Sequence, residues 1–420
     1  MCALTLLPAV LSLLGRRINA LPLPGRKPAQ PVDVEHSRWA GFARWIMRHP
    51  VPGVAIPLAI LIPLAIPALS LQLGQSDAGA LPSSETARVA YDDIAQGFGV
   101  GRNGPVVIAA ALARPAAPSD PSLARLQQAV ATTAGVASAS APAVDSAGTA
   151  ATFTAIPRTA PSDLATQELV DRLRHQTIPA ATQGTGVQAH VGGSTAAFVD
   201  LGEQISNRLA RVIFVVIALS FVLLALAFRS LLVPLKAAAM NLLSIGAAYG
   251  VVVMVFQYGW FSSLVGLDGA VPIVSFLPLL MFAGLFGLSM DYEVFLMSHV
   301  QEHVKEGRSP REAIVIGLAE SARVITAAAL IMVSVFASFI LNGDPTIKQF
   351  GVGLSVAVIV DATLVRCMLV PATMALMGRA AWWFPRWLDV RLPQISVEGH
   401  GYFAGRAGAG AAVAEDAAAE

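Results

Sequence analysis

The sequence predicts an α-helical polytopic membrane protein with six complete transmembrane helices and one external α+β ferredoxin-like (βαββαβ) domain. Of its 420 residues 55% are apolar and 13% are charged, and the mean hydropathy is +0.64, which is typical of integral membrane proteins. Six apolar stretches reach the length of about 20 residues that a spanning helix needs. Between the first and second of them lies a long polar segment, residues 72–207, which predicts the additional domain.

The N-terminal residues 1–17 are an apolar run too short to span, followed by Arg16 and Arg17. A signal peptide carries its positive charge before the apolar run, so this order favours the cytoplasmic end of a membrane helix. The segment Leu6–Arg16 shares Leu, Pro, Ala, Leu, Gly and Arg at matching positions with Leu369–Arg379. We therefore predict that residues 1–17 are a remnant of the last transmembrane helix of a preceding, homologous half. Chance similarity between two apolar helix ends is the alternative.

The remaining parts of the chain follow from the alternation of apolar and polar segments. Residues 18–50 are predicted to be a cytoplasmic linker and an interfacial amphipathic helix, because aromatic side chains alternate with arginines there. Residues 51–71 are the first transmembrane helix, 208–378 a five-helix bundle and 379–420 a cytoplasmic tail with a disordered end. The predicted spans are Val51–Leu71, Leu209–Phe228, Val233–Gln257, Val271–Ser298, Leu318–Leu341 and Phe350–Met377.

Loop charge predicts the orientation. The loop after the second span carries Arg229 and Lys236, and the loop after the fourth carries Lys305, Arg308 and two further arginines, whereas the opposite short loops contain no Lys or Arg. By the positive-inside rule the basic loops and both termini are cytoplasmic. The segment 72–207 is then external.

Within this external domain the residue pattern predicts strands and helices in the order β-α-β-β-α-β, the split βαβ or ferredoxin-like arrangement. From Ser194 the chain is predicted to continue as one helix into the membrane. The predicted elements are strand 105–112, helix 121–133, strands 136–141 and 150–157, helix 161–176 and strand 187–192.

The fourth span places Asp291, Tyr292 and Glu293 inside an apolar stretch. A carboxylate at the centre of a membrane helix costs about 2.5–3.5 kcal/mol on insertion scales, so such residues usually face a bundle interior and carry ions or protons. Gly284 and Gly287 fall near the face of Asp291, and small residues let a neighbouring helix approach. We therefore expect Asp291 to lie in a bundle interior. The alternative is that the helix ends near Asp291, which would then meet cytoplasmic water.

Other polar residues are secondary candidates. Thr326 and Ser334 form part of a hydroxyl stripe that offers water-bridged partners to Asp291, with plain helix packing as the alternative. Asp361 is a possible second relay group, although its distance of five residues from Arg366 predicts that the two do not share a helix face neatly. Glu293 is expected nearer the cytoplasm, at the proton exit.

No metal site or cofactor is predicted. His299 and His303 lack a third ligand, and the two cysteines give no zinc or disulfide spacing. The net charge of +1 argues against a nucleic-acid partner.

Taken together, the last four spans resemble the MMPL family of the RND superfamily of proton-driven exporters. The stretches that carry the resemblance are Asn241-Leu-Leu-Ser-Ile-Gly-Ala-Ala-Tyr-Gly250, Phe286-Gly-Leu-Ser-Met-Asp-Tyr-Glu-Val-Phe-Leu296, Gly317-Leu-Ala-Glu-Ser-Ala-Arg-Val-Ile-Thr-Ala-Ala-Ala-Leu330 and Val360-Asp-Ala-Thr-Leu-Val-Arg366. The external domain is similar mainly in position and in the segment Val191-Gly-Gly-Ser-Thr195.

The resemblance implies a role for each part. Asp291 and Tyr292 match the Asp-Tyr proton relay of the family's second half, and the external domain matches its porter domain. Protons are then the coupling ion, the bilayer and a lipid or other hydrophobic substrate are partners, and the location is a bacterial plasma membrane. The family's first half, with its own relay pair, is absent from this sequence, so a separate N-terminal half or a homologous chain is an expected partner. A homo-oligomer is left open.

Two other readings of the sequence differ in class. One is a truncated, non-transporting remnant or assembly subunit of such a transporter, which the missing half favours. The other is an intramembrane aspartyl protease that uses Asp291 and Asp361, because two carboxylates sharing a proton are its minimum requirement. The Gly-x-Gly-Asp pattern typical of that chemistry is missing, and the external domain has no part in it. The sequence therefore favours a proton-coupled secondary transporter over an enzyme.

Overall fold

The computed structural model describes residues 2–15, 37–385 and 387. Six helical segments in these residues are long and apolar enough to cross a membrane, so the predicted number of spans is confirmed. Residues 16 and 17, most of the predicted linker and the tail beyond residue 387 lie outside the described residues. The six spans are Pro50–Ser70, Ser194–Phe228, Leu232–Gln257, Leu277–Lys305, Pro310–Leu341 and Pro345–Met377.

The α-helices follow one another in this order along the chain. They are α1 (Cys2–Leu14), α2 (Arg38–Arg48), α3 (Pro50–Ala65), α4 (Thr86–Phe98), α5 (Pro121–Ala131), α6 (Leu164–Arg172), α7 (Ile178–Thr182), α8 (Ser194–Phe228), α9 (Leu232–Val252), α10 (Leu277–Lys305), α11 (Pro310–Ser338), α12 (Pro345–Val360) and α13 (Val370–Met377). The strands are β1 (Leu73–Gly74), β2 (Val106–Leu112), β3 (Val136–Ala139), β4 (Ala143–Val144), β5 (Ala150–Pro157), β6 (Val187–Gly192) and β7 (Ile273–Val274).

Alternating direction places the sheet and the loop after α10 at opposite ends of the bundle. The span that contains α3 leads into the sheet domain, and α8 returns from it as one continuous helix from Ser194, as predicted. The segment before α10 meets the sheet end of the first span, where Ser275 donates to the Gly74 carbonyl, and the other end of α10 meets the end of α8, where Gln301 donates to the Phe228 carbonyl. The loop between α10 and α11 is consequently at the end remote from the sheet.

The bundle is packed around apolar side chains and exposes others on its outer surface. Phe228, Phe256 and Phe282 are almost completely buried in one continuous core. Phe214 and Leu330 point outward, 72% and 67% exposed. Because lipid tails are as apolar as leucine, an apolar outer surface is what a membrane-embedded bundle needs.

Five strands form the sheet between the first two spans. Its order is β3-β5-β2-β6, every neighbouring pair is antiparallel, and β4 pairs with β5. The predicted strands and helices lie within a few residues of their predicted positions, and α4, α7 and the short strand β4 are additional elements that the sequence pattern did not indicate. Asp120 caps α5 by accepting a hydrogen bond of 2.8 Å from the backbone N–H of Ser122. Leu123 and Leu126 of α5 are buried against Ile108 and Phe153 of the sheet.

A short parallel strand pair connects the sheet end of the first span to the beginning of the fourth. Leu73 lies opposite Ile273, and the Ser275 hydroxyl donates to the carbonyl of Gly74 at 2.9 Å. The predicted start of the fourth span at Val271 is therefore wrong. Extended backbone around Pro272, which lacks an N–H, precedes the helix, and the helix begins at Leu277.

The amphipathic helix predicted before the first span is α2. Ser37 caps it, accepting from the backbone N–H of Ala40, and Ala40, Ala43 and Ile46 are fully buried. This apolar face packs on α11 and α13, while the arginines of α2 remain exposed. The helix therefore lies along the end of the bundle that is remote from the sheet.

Candidate functional site

Helix α10 separates Asp291 and Glu293 onto opposite sides. At 3.6 residues per turn, two positions along a helix amount to more than half a turn. Glu293 is 2% exposed and points into the bundle, whereas Asp291 lies on the exposed side. The structure therefore divides the predicted relay residues between the core and the outer surface of the bundle.

The expectation of an interior Asp291 is wrong for this chain by itself. Gly284, Gly287 and Asp291 all lie on the exposed side of α10. A Cβ built at either glycine would meet nothing within 4 Å, so neither glycine packs against another helix of the described chain. This face consists of small residues and one carboxylate. The role of Asp291 as a proton relay remains a prediction.

Glu293 is instead the acid at the centre of a buried group of charges. Its Oε2 accepts a hydrogen bond of 2.8 Å from Nη1 of Arg366, which is completely buried. Its Oε1 lies 3.4 Å from Nζ of Lys236, an ion pair without hydrogen-bond geometry. Lys236 is 8% exposed and belongs to α9. Its assignment to a cytoplasmic loop is therefore wrong, because α9 begins one turn earlier.

Arg366 connects the fourth and sixth spans through Asp361 and Ser289. Its Nε donates to Oδ2 of Asp361 at 3.2 Å, and its Nη2 donates to Oγ of Ser289 at 2.7 Å and to the Ser289 carbonyl. Residues Asp361–Leu369 form a π-helix. In a π-helix hydrogen bonds run between residues five apart, so Asp361 and Arg366 occupy the same side. The expectation that they do not share a face is therefore wrong.

Ser289 and Asn241 complete the polar group on the side of Asp361. The Ser289 hydroxyl lies 2.6 Å from Oδ1 of Asn241 and 3.0 Å from Oδ1 of Asp361. A hydroxyl has one proton, so it donates to one of these acceptors at a time. A small cavity lined by Asn241, Ser289, Tyr292 and Asp361 has room for about one water molecule.

The charges of this cluster, which we call the buried charge cluster, balance. It consists of Lys236, Glu293, Asp361 and Arg366, with two acidic and two basic side chains. Desolvating four charges costs several kcal/mol per ion before their attraction offsets it, so such a cluster is weak evidence for stability alone. In membrane helices ionisable side chains of this kind usually mark ion or proton pathways.

Tyr292 follows the exposed Asp291 in α10 and lines a cavity at the edge of this cluster. Its ring is half-buried, and its hydroxyl lies 3.6 Å from Sδ of Met332. Tyr292 lines the same small cavity as Asp361, the second predicted relay group. The predicted pair therefore lies beside the buried charge cluster and does not form part of it.

The hydroxyl groups of the stripe on α11 donate hydrogen bonds to backbone carbonyls of the same helix. Thr326 donates to the carbonyl of Ala322, and Ser334 donates to that of Leu330 at 2.8 Å. Both residues are exposed. In the described residues the Asp291 carboxylate has no hydrogen-bond partner, so the stripe offers no direct donor to it in this chain.

Two histidines near the end of α10 contact carboxylates. His303 lies 3.0 Å from Glu306 and 3.1 Å from Glu320, and His299 lies 3.9 Å from Glu320. No group of three or more metal-ligating side chains is found in the described part of the chain. These side chains lie at the end of the bundle that is remote from the sheet.

Sequence reasoning missed Lys236, Asn241 and Ser289 and gave Arg366 no role. The available signal was Arg366, a basic residue in an apolar stretch, because a buried guanidinium needs acids nearby. The π-helical geometry that joins Arg366 to Asp361 had no such signal.

Comparison with known proteins identifies a family for the chain. A sequence model of the MMPL family matches residues 99–395. The membrane protein YdfJ of Bacillus subtilis is 37% identical over 400 residues, which is 95% of this chain and 54% of that protein. The heme uptake protein MmpL11 of Mycobacterium tuberculosis is 36% identical over 400 residues, covering 94% of this chain and 41% of that protein.

A third relative, the trehalose monomycolate exporter MmpL3 of Mycolicibacterium smegmatis, is 28% identical over 419 residues. The match covers 92% of this chain and 41% of that protein. The chain thus spans about half the length of the curated relatives it matches.

Proposed function

The chain belongs to the MMPL family, and on that premise we propose that it is half of a proton-motive-force-driven transporter that exports lipids or other hydrophobic molecules. It is a multi-pass membrane protein, and its relatives are bacterial membrane proteins and transporters. The names of two relatives differ in both substrate and direction, one being a heme uptake protein and the other a trehalose monomycolate exporter. The proposed export of an amphiphilic lipid rests on the name of the second relative, the trehalose monomycolate exporter.

The exposed side of α10 supports the assignment to half of a transporter. A small-residue face with a carboxylate on it is expensive to leave in lipid. A second, homologous half seated on Gly284, Gly287 and Asp291 would remove that cost and place two relay pairs opposite each other. Sites between two repeats are the common arrangement in secondary transporters.

The sheet domain is proposed to be the external porter domain of ferredoxin-like class. Its antiparallel order β3-β5-β2-β6, with helices α5 and α6 between strands, is the order expected of a split βαβ fold. The external location follows from the basic loops at the other end of the bundle.

In the proposed mechanism Asp291 takes up a proton from outside and Tyr292 relays it toward Asp361. Protonation of Asp361 or Glu293 would change the buried charge cluster from balanced to net positive, which favours a different packing of the fourth and sixth spans. One proton that crosses 100 mV releases about 2.3 kcal/mol, which is comparable with the cost of one unpaired charge in the bilayer. The observation that carries the proposal is this balanced cluster beside an Asp-Tyr pair.

The test uses the full chain co-expressed with the part of YdfJ that it does not match. The complex is reconstituted in liposomes that contain a pH-sensitive dye and a fluorescent lipid. An imposed proton gradient should drive both proton entry and lipid movement, and Asp291→Asn should reduce both to background. The matched control is Asp268→Asn, an exposed aspartate in the loop at the sheet end of the bundle.

Three outcomes contradict the proposal in different ways. Unchanged transport in Asp291→Asn would remove the relay role of that residue. Lipid movement without proton entry would remove the coupling. An assembled complex with no transport at all would favour the non-transporting assembly subunit or remnant.

A further inference from the structure

The strand β7, which leads into α10, is paired along both of its edges. On one edge it pairs with β1, where Leu73 lies opposite Ile273. On the other edge the side chain of Gln349 takes the place of a third strand. Its Oε1 accepts from the backbone N–H of Val274 at 3.1 Å, and its Nε2 donates to the carbonyl of Pro272 at 2.9 Å. In a parallel ladder one residue bonds to two groups that lie two residues apart on its neighbour, and the amide reproduces this pattern.

The beginning of α12, in the sixth span, holds the whole connection between α9 and α10. Gln349 belongs to this part of α12 and is completely buried. The neighbouring Lys348 is 6% exposed, and its Nζ donates to the carbonyls of Val265 and Gly266 at 2.7 Å each. Two consecutive side chains of the sixth span therefore bind the backbone that leads into the fourth span.

The strand β1 extends this contact to the chain that enters the sheet domain. The Gly74 carbonyl accepts from the Ser275 hydroxyl at 2.9 Å and from the Ser275 backbone N–H at 3.1 Å. The same hydroxyl lies against α8, because a Cβ built at Gly202 would be 3.2 Å from it. Beyond β1 the chain continues to α4 and the sheet. A path of hydrogen bonds thus leads from the sixth span through β7 and β1 to the beginning of the domain.

The other end of this path is the buried charge cluster. Helix α12 continues without a break into the π-helix that contains Asp361 and Arg366. At a rise of about 1.5 Å per residue, Gln349 and Asp361 are about 18 Å apart along this helix. Val274 is buried, so separating β7 from the helix would leave its N–H and the Gln349 amide without partners, which costs free energy. A shift of the sixth span therefore carries β7 with it.

We propose that Gln349 is a positioning residue that transmits a rearrangement of the buried charge cluster to the sheet domain. A displacement of the sixth span at Asp361 reaches β7 through the Gln349 amide, and it reaches the sheet domain through the Gly74 carbonyl. The inference rests on the proposed function in one respect, since protonation of the cluster is what displaces the span during transport. The link itself does not depend on which molecule is moved.

The first experiment follows the link in the full chain in detergent, without a second half. Cys2 and Cys367 are replaced by serine, and an environment-sensitive fluorophore is attached at Ser84→Cys, an exposed position between β1 and α4. Asp361→Asn neutralises one acid of the cluster, as protonation would, and should shift the emission of the fluorophore. Gln349→Met keeps the length of the side chain but removes the amide, and it should abolish this shift.

Gln257 provides a matched control at the same end of the bundle. Its amide also bonds to groups two residues apart, donating to the Ser70 carbonyl at 2.8 Å and accepting from the backbone N–H of Gln72 at 3.0 Å. It joins the third span to the end of the first, whereas Gln349 joins the sixth span to β7. In Gln257→Met the emission shift caused by Asp361→Asn should therefore remain.

The second experiment separates transmission from stability in the liposome assay of the complex with the unmatched part of YdfJ. Gln349→Met should preserve proton entry and lower the lipid moved per proton by about fivefold or more, the usual size of a coupling effect. A merely structural role would lower both in proportion to the amount of folded complex. Ser275→Ala removes one of the two bonds to the Gly74 carbonyl. It should lower the same ratio, and reduce the emission shift, even where Gln349→Met folds poorly.

Several outcomes would overturn the inference. They are an emission shift that persists in Gln349→Met, no shift from Asp361→Asn in the otherwise unchanged chain, and an unchanged ratio of lipid to protons. Equal effects of Gln349→Met and Gln257→Met would also overturn it, because they would mean a general loosening of this end of the bundle. A shift that depends on Gln349, in a chain whose complex carries neither protons nor lipid, would support the link and contradict the proposed function instead.

Discussion

At the scale of single residues, Arg366 holds the buried charge cluster together. Its guanidinium donates to Glu293, to Asp361 and to Ser289 from nitrogens that diverge in one plane. A lysine has one nitrogen on a flexible stem and cannot reach three partners that lie in different directions. Arginine at this position is therefore required by geometry as well as by charge.

Removing this guanidinium should destabilise the chain through the acids it leaves behind. Arg366→Gln leaves Glu293 and Asp361 against Lys236 alone, and breaking a buried pair in this way costs about 3–5 kcal/mol. Adding Glu293→Gln restores the balance of one acid and one base. Thermal unfolding in detergent should therefore give a lower midpoint for the single variant than for the double variant. A double variant less stable than the single one would contradict the charge-balance argument.

Two buried serines allow a matched test of how much one hydrogen-bonded hydroxyl contributes to stability. Ser289 and Ser355 are both 6% exposed. The Ser289 hydroxyl accepts from Arg366 and donates to Asn241 or Asp361, whereas the Ser355 hydroxyl has no partner in the described residues. Ser289→Ala should cost about 1–3 kcal/mol because buried polar partners lose a bond. Ser355→Ala should be neutral or stabilising, because it removes an unpaired buried hydroxyl. The midpoints of thermal unfolding compare the two, and equal losses would contradict the assigned bonds.

Single residues also show where sequence reasoning ends. An intramembrane acid is visible in the sequence, so Asp291, Glu293 and Asp361 could all be chosen as candidates. Whether Asp291 or Glu293 is buried depends on the rotation of α10 against α9, and helix periodicity gives only their relative directions. Lys236 was hidden because a basic residue at a helix end has the same pattern as a cytoplasmic anchor.

At the scale of elements, the hydrophobic pattern was sufficient for the six spans and for most strands of the sheet. Spans and the long helix α8 follow from length and apolar content, and the sheet strands from runs bounded by Gly and Pro. The pattern failed where tertiary contacts decide the backbone. The β1–β7 pair is two residues per strand and brings distant segments together. In the π-helix Asp361–Leu369, Arg366 contacts Glu293 of another helix.

Glycines at two helix surfaces predict opposite responses to the same substitution. A Cβ at Gly250 would overlap the carbonyl of Leu64 in α3, so Gly250→Ala should separate α3 from α9 and lower the unfolding midpoint markedly. Gly287 has nothing within 4 Å. Gly287→Ala should therefore leave the lone chain unchanged or stabilise it by up to about 1 kcal/mol through helix propensity.

The same Gly287→Ala chain also tests the open face of α10. If a homologous half packs there, the added methyl should weaken assembly of the complex with the unmatched part of YdfJ. Co-purification of the two chains measures this assembly. Full co-purification together with an unchanged midpoint would argue that the face contacts lipid and not a second half.

At the scale of the whole molecule, charge and domain position predict one orientation. The arginines of α2, Arg229 and the loop before α11 lie at one end of the bundle and the sheet domain at the other. Positive juxtamembrane residues favour the cytoplasm, and the bias sets the orientation of the entire bundle. The transporter proposal depends on this asymmetry, since proton entry is assigned to the sheet side.

Cysteine labelling in intact cells tests this orientation directly. With Cys2 and Cys367 replaced by serine, Gln183→Cys in an exposed turn of the sheet domain should react with a membrane-impermeant maleimide. Glu306→Cys in the exposed loop after α10 should react only after permeabilisation, because the basic end is held in the cytoplasm. The reverse pattern would move proton entry to the cytoplasmic side and would contradict the proposed orientation. Labelling of both positions without permeabilisation would mean mixed insertion, which a bundle with all its basic loops at one end should not show.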